Sequence, residues 1–170
     1  MRFAYSIVPA GVALLLAGTA WAQESRVSYE LVEPSGFTDF EIAREGVDHT
    51  AAVFDQQFTK NFVPAAERIL AQGQRLVLKI HDVDMAGDIQ PWRNRLHEPI
   101  RYVEFGFPPK IDLEYALLDP AGGVLAQGRE TLTDKSFDMR PATAHRDEPF
   151  VFEIDMLERW LRQLVSSRDR

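Results

Sequence analysis

The chain has no cysteine, which excludes disulfides, thiol nucleophiles and thiolate metal sites together. Histidine is scarce. His49, His81, His97 and His145 lie in four different segments, and no pair has the i, i+4 or alternate-residue spacing by which two imidazoles reach one zinc ion. There is no G-x-S-x-G elbow, no S-x-x-K, and no glycine-rich loop between strand and helix to cradle a phosphate. The pattern therefore offers no reaction and calls for no cofactor. Positive charge is also in deficit: 19 Lys and Arg stand against 26 Asp and Glu, a net charge of −7. Such a surface repels phosphate backbones and anionic headgroups, so nucleic acid is not an expected partner.

The apolar run that does exist lies at the amino terminus. Arg2 precedes a stretch from Ile7 to Ala17 that ends in Ala20-Trp21-Ala22. A positive start, an apolar run and a small-x-small triplet together predict a secretory signal peptide over 1–22, cleaved after Ala22. The run is too short to cross ~30 Å of hydrocarbon comfortably, so no transmembrane segment is expected after cleavage, and the mature protein is expected in the periplasm. Without a cysteine at the junction, lipid attachment there is excluded. Residues 23–170 are read as a single domain with a net charge of about −8. Lacking disulfides, it must rest on its core; a chain of this size buries roughly 68–70% of its unfolded surface.

Val27, Tyr29 and Leu31 alternate with polar residues and predict a first strand, closed by Glu33-Pro34-Ser35-Gly36. FTDFEIAREG has no clean period and reads as a loop that Phe37 and Phe40 pack down. From Asp48 the period becomes helical, with Phe54, Phe58, Phe62, Ala65 and Ile69 on one stripe. Three phenylalanines at that spacing fit a helix lying on a sheet. Pro64 lacks the amide a helix interior needs, which predicts a kink or a break with a restart near Asn61; Gly73 is expected to end the helix. RLVLKIHDVDMAG is the strongest strand signal, with Leu78 and Ile80 beside Leu76 on one face. After a Gly87–Pro99 connection come RYVEFGF and KIDLEYALLD, then a Pro120–Gly123 hairpin into VLAQGRETLTD. A polar loop from Lys135 to Pro149 leads to a last helix whose stripe is Leu157, Trp160, Leu161 and Leu164. The expected class is α+β: a mainly antiparallel sheet of four to five strands packed with two main helices, in the order strand, helix, strands, helix.

Chemistry is densest in KIHDVDMAGDIQPW. Asp82 and Asp84 share the parity of Leu76, Leu78 and Ile80, which would place both at the far end of the apolar face about 6.6 Å apart. With Asp88 they could hold a divalent cation or a small ligand if other oxygens complete the shell, although D-x-D-x-x-x-D does not match an EF-hand loop. The structural alternative has its own mechanism. Asp84 would accept amides of the turn that follows it, and Asp82 would pair with Arg93 or Arg95. Trp92, next to those arginines, either caps the sheet end or stands exposed as a contact residue, since aromatics beside arginine are common in interfaces.

FTDF after the first strand, DVDMAG followed by Pro91-Trp92, PPKIDLEYALLD with its glycine turn, ETLTD and the closing MLERW resemble, in that order and spacing, a family of small exported bacterial proteins catalogued as domain of unknown function 3016. The resemblance runs from about Val27 to Leu164. It implies export and a single domain, and supplies no catalytic residues. The loop between Ser136 and Pro149 departs from the family's pattern. More loosely, the element order resembles small periplasmic α+β domains of envelope-lipoprotein assemblies, which mainly contact other proteins. The expectation is thus a non-enzymatic exported domain that binds another envelope protein through Gly87–Pro99, with Trp92, Arg93 and Arg95, and through Lys135–Pro149. The alternative is a cation or small-ligand site at Asp82, Asp84 and Asp88.

Overall fold

The computed structural model describes residues 25–42, 45–139 and 148–167. The expected signal peptide and the central part of the Lys135–Pro149 loop lie outside the described residues. Four strands, β1 (Val27–Leu31), β2 (Arg75–Asp84), β5 (Lys110–Leu118) and β6 (Val124–Thr133), form one sheet in the order β1-β2-β5-β6. β3 (Asp88–Ile89) and β4 (Arg101–Tyr102) form a separate antiparallel pair. The class is the expected α+β and the sheet is mainly antiparallel as expected; it is mixed in one place, since β1 runs parallel to β2 while β2–β5 and β5–β6 are antiparallel. A helical crossover joins β1 to β2, which is the connection a parallel pair requires.

That crossover is α1 (Val47–Gln57), a π-helical turn (Phe58–Phe62) and α2 (Val63–Ile69). Where a kink was expected before Pro64, the helix widens. The Val63 amide donates to the Phe58 carbonyl, one residue further back than in an α-helix, so the wide turn ends just before the residue that has no amide to give. It also serves the stripe. Steps of four overshoot an α-turn by about 40° each, and a wider turn takes up part of that drift, so Phe54, Phe58 and Phe62 all stay fully buried. The helix ends at Ile69, and Gly73 (φ +78°) sits four residues on, in the turn into β2.

Leu76, Leu78, Ile80, Ile111, Leu113 and Leu117 point into the same core as the three phenylalanines and as Leu157, Trp160 and Leu161 of α3 (Val151–Ser166). Both helical segments therefore cover one face of the sheet. Phe37 and Phe40 are buried in that core too, which pins the loop after β1. Tyr29 stacks on Phe58 with ring centres 4.0 Å apart, and its hydroxyl bonds Asp55; half-burial and that carboxylate hold the phenol well above its ordinary range. The other face of the sheet is open, and β6 is a long exposed edge.

Candidate functional site

The acidic corner begins with a bulge. The β2–β5 register shifts between Ile80 and Asp82, and an inserted residue moves every later side chain to the opposite face. Val83 and Met85, not Asp82 and Asp84, continue the buried row. The expectation that both aspartates extend the apolar face is thus overturned; they stand on the open face. Asp82 accepts the Thr38 amide at 2.6 Å and the Thr38 hydroxyl at 2.7 Å, in place of Arg93 or Arg95. Asp84 receives the Lys110 ammonium at 2.5 Å across the strand pair. Asp112, directly opposite Asp82, is forked by Arg129 at 3.1 and 2.7 Å; that bonding holds its carboxyl below the usual range. His81 lies 3.3 Å from Glu114. Asp88 lies in β3 opposite Tyr102. Among the described residues no three carboxylates or imidazoles are placed to hold a metal ion together.

Asp84 does not take the amides of the turn that follows it either. Three successive amides go to three other acceptors: Met85 to the Asp39 carbonyl at 3.1 Å, Ala86 to Glu153 Oε1 at 2.7 Å, and Gly87 to the Phe107 carbonyl at 2.9 Å. Glu153, in the first turn of α3, is wholly buried, and its Oε2 has no partner. Burial pushes its carboxyl up to about 7, against the downward pull of the Ala86 amide, the first-turn backbone and Arg101, with Asp84 adding to the rise. The sequence reading passed over Glu153, yet spacing could have found it: it precedes Leu157 and Leu161 by steps of four on the buried stripe.

From that turn the chain leaves the sheet for about twenty residues. This excursion is held by polar groups. Arg101 forks onto Asp39 at 2.7 and 2.9 Å and also donates to the Gly87 and Glu41 carbonyls. Asn94 accepts the Leu96 and Glu98 amides and donates to the Glu98 carbonyl. Arg93 pairs with Glu104 and lies 4.4 Å over the Tyr102 ring. Gly87 has φ +83°, and a β-carbon there would meet the Tyr102 carbonyl oxygen at 2.4 Å. The segment expected as strand RYVEFGF pairs over only two residues, since β3 ends just before Pro91.

The excursion shows large apolar side chains to solvent beside exposed Arg93, Arg95, His97 and Glu98. Of eight exposed large hydrophobic side chains among the described residues, six belong to it: Trp92, Leu96, Ile100, Val103, Phe105 and Phe107. Trp92 is 68% exposed and Leu96 76%, so Trp92 does not cap the sheet. The structure brings Trp92 and Arg93 together on this loop with Arg95, and leaves Asp82, Asp84 and Asp88 with separate surroundings. Phe105 and Phe107 escaped the sequence reading, although Gly106 and Pro108-Pro109 mark that stretch as broken.

A family model described as a protein of unknown function (DUF3016) matches residues 25–163. No curated protein matches the chain. Among solved structures, the chain is similar to a minor lipoprotein from Acinetobacter baumannii at 12% identity and a TM-score of 0.24, over 84% of this chain and 93% of that one. A likeness this faint supports no argument about fold or role.

Proposed function

The chain belongs to the family of proteins of unknown function DUF3016, and from that premise we propose that it is a non-enzymatic, exported accessory domain that binds another envelope protein through the excursion. The observation that carries this reading is that six large apolar side chains between Trp92 and Phe107, all on one excursion of the chain, are uncovered. Exposed apolar side chains gathered in one segment are what a contact site offers a partner. A tryptophan beside arginines is the composition interfaces favour. The perturbed acids have structural neighbours instead: Asp112 is bound by Arg129, Tyr29 by Asp55, and Glu153 is out of reach of any substrate. No helix among the described residues is long and apolar enough to cross a membrane, so the reading needs no span within them.

The test is site-specific photo-crosslinking in intact cells. A photoreactive residue at position 92 or 96 is expected to give one discrete protein adduct. The same residue in place of Gln127, on the open face, is expected to give none. Adducts of equal yield from all three positions, or adducts to lipid alone from the excursion, would overturn the assignment.

A further inference from the structure

We propose that Glu153 is a latch between α3 and the excursion, closed while its carboxyl is neutral and released when it ionises. The inference rests on the contact reading only for its consequence: a closed latch presents the apolar tips in one position.

The turn Met85–Gly87 is the one covalent entry to the excursion from β2, and its middle amide is held by a side chain, Glu153, rather than by backbone. A side-chain acceptor can be switched by a proton; a backbone carbonyl cannot. In the neutral form Oε1 still accepts the Ala86 amide, and the buried remainder is an uncharged hydroxyl. In the ionised form the same cavity holds a full charge that the Ala86 amide and the backbone amide of Glu153 itself offset only in part, which is far costlier to keep from water. The charged groups around it offer little relief. Arg101, from β4, attracts the carboxylate but is already forked onto Asp39. Asp84, from β2, repels it and is itself tied to Lys110 of β5. An ionised Glu153 therefore either moves toward water, dropping Ala86, or takes Arg101 from Asp39. Both routes loosen the base, because Arg101 also holds the Gly87 carbonyl. Gly87, with no side chain and φ +83°, is the joint about which the excursion can then swing.

With the buried carboxyl titrating at about 7 and the released one near 4.5, the ratio of open to closed turn rises about thirtyfold between pH of about 5.5 and about 8.5. Hydrogen exchange of the purified protein, corrected for intrinsic rates, reads that ratio over residues 85–107 with no partner present. The expected result is exchange about thirtyfold faster at the higher pH in the wild type, and pH-independent slow exchange in Glu153→Gln, which keeps the acceptor and cannot ionise. Equal protection at both pH values in the wild type overturns the latch, as does an unchanged pH response in Glu153→Gln. Should that variant not fold, the Ala86 amide resonance of the wild type decides: a titration with a midpoint near 7 supports the latch, and a flat shift across the range sinks it. Failure of the crosslinking test with a clear exchange response would leave the latch standing and remove only the contact role.

Discussion

The open face of the sheet and the excursion meet the same solvent and treat it oppositely. On the open face, charge covers the strands: Asp84 with Lys110, Asp112 with Arg129 and His81 with Glu114 form cross-strand pairs, and the apolar residues among them, such as Val77 and Ala116, are small. In the excursion several polar groups are turned to internal use. Asn94, Arg93, Glu104, Arg101 and Asp39 hold the loop together, while Trp92, Leu96 and Phe105 are left outside. A loop that folds by its polar contacts has no structural need for large apolar tips. The difference teaches where the proposed contact would draw its affinity: from surface that the fold does not use.

The sharpest way to break this comparison is to remove one phenylalanine that the fold uses and one that it only displays. Phe58 is fully buried, stacked against Tyr29 and Phe62. Phe58→Ala is expected to cost about 3–5 kcal/mol, the loss of a large buried ring plus the cavity left behind. Phe105→Ala, exposed in the excursion, is expected to stay within about 0.5 kcal/mol. Chemical denaturation of both variants gives the two numbers, and similar costs would mean that the excursion is core after all.

The second effect concerns the link between the two regions. The folded value of Glu153, about 7, lies above its ordinary 4.5, so between those values the folded state binds a proton that the unfolded chain has released. Its contribution to stability is full at and below about pH 4.5 and is lost as pH rises through about 7. That difference corresponds to roughly 3 kcal/mol. Glu153→Gln is expected to flatten that slope and to be the more stable protein at pH of about 8. Asp112 works with the opposite sign in a separate window: its depressed carboxyl stabilises above its ordinary value and loses that effect only as pH falls below it. Unfolding midpoints measured across the pH range separate the two. A wild-type stability that does not fall between pH 5 and pH 8 would count against a buried Glu153.

Smaller still is Gly87→Ala. A side chain at φ +83° costs about 1–3 kcal/mol in backbone strain, and the added methyl would press on the Tyr102 carbonyl. Because the clash sits at the base of the excursion, faster hydrogen exchange is expected over 88–107, with the β2 and β5 amides still protected. Uniform loss of protection would show that sheet and excursion unfold as one unit and not as two.

Much of the sheet and both helical stripes were legible because period and burial agree: Leu76, Leu78 and Ile80, or Leu157 and Leu161, need no partner to be read. The bulge was legible in principle, since the apolar row runs 76, 78, 80 and then 83, 85, a jump of three that marks an extra residue. The parallel β1–β2 pairing follows from the helix between them and not from alternation within either strand. RYVEF is rich in the aromatic and β-branched residues that strands favour, but strand length is set by the partner, and β3 stops at Ile89, just before Pro91. The acidic corner was least legible. Asp82 is satisfied by Thr38, 44 positions away, and Ala86 by Glu153, 67 positions away; no local spacing carries such pairings, so the aspartates looked freer than they are.

The smallest expected effect on stability is at Trp92, and it sharpens the comparison most. Its indole is largely in water and makes no hydrogen bond among the described contacts, so Trp92→Ala removes little that folding uses and should change the unfolding free energy by less than about 0.5 kcal/mol. The same change deletes the largest uncovered side chain of the surface proposed to bind a partner, and hot spots are enriched in tryptophan. Unchanged stability with a lost crosslink from position 96 is therefore the expected pair of results, and only the pair is informative. A crosslink that survives places affinity elsewhere on the chain. A stability loss approaching that of Phe58→Ala would mean that the tip supports the loop, and the division between residues that hold the excursion and residues it displays would be drawn in the wrong place.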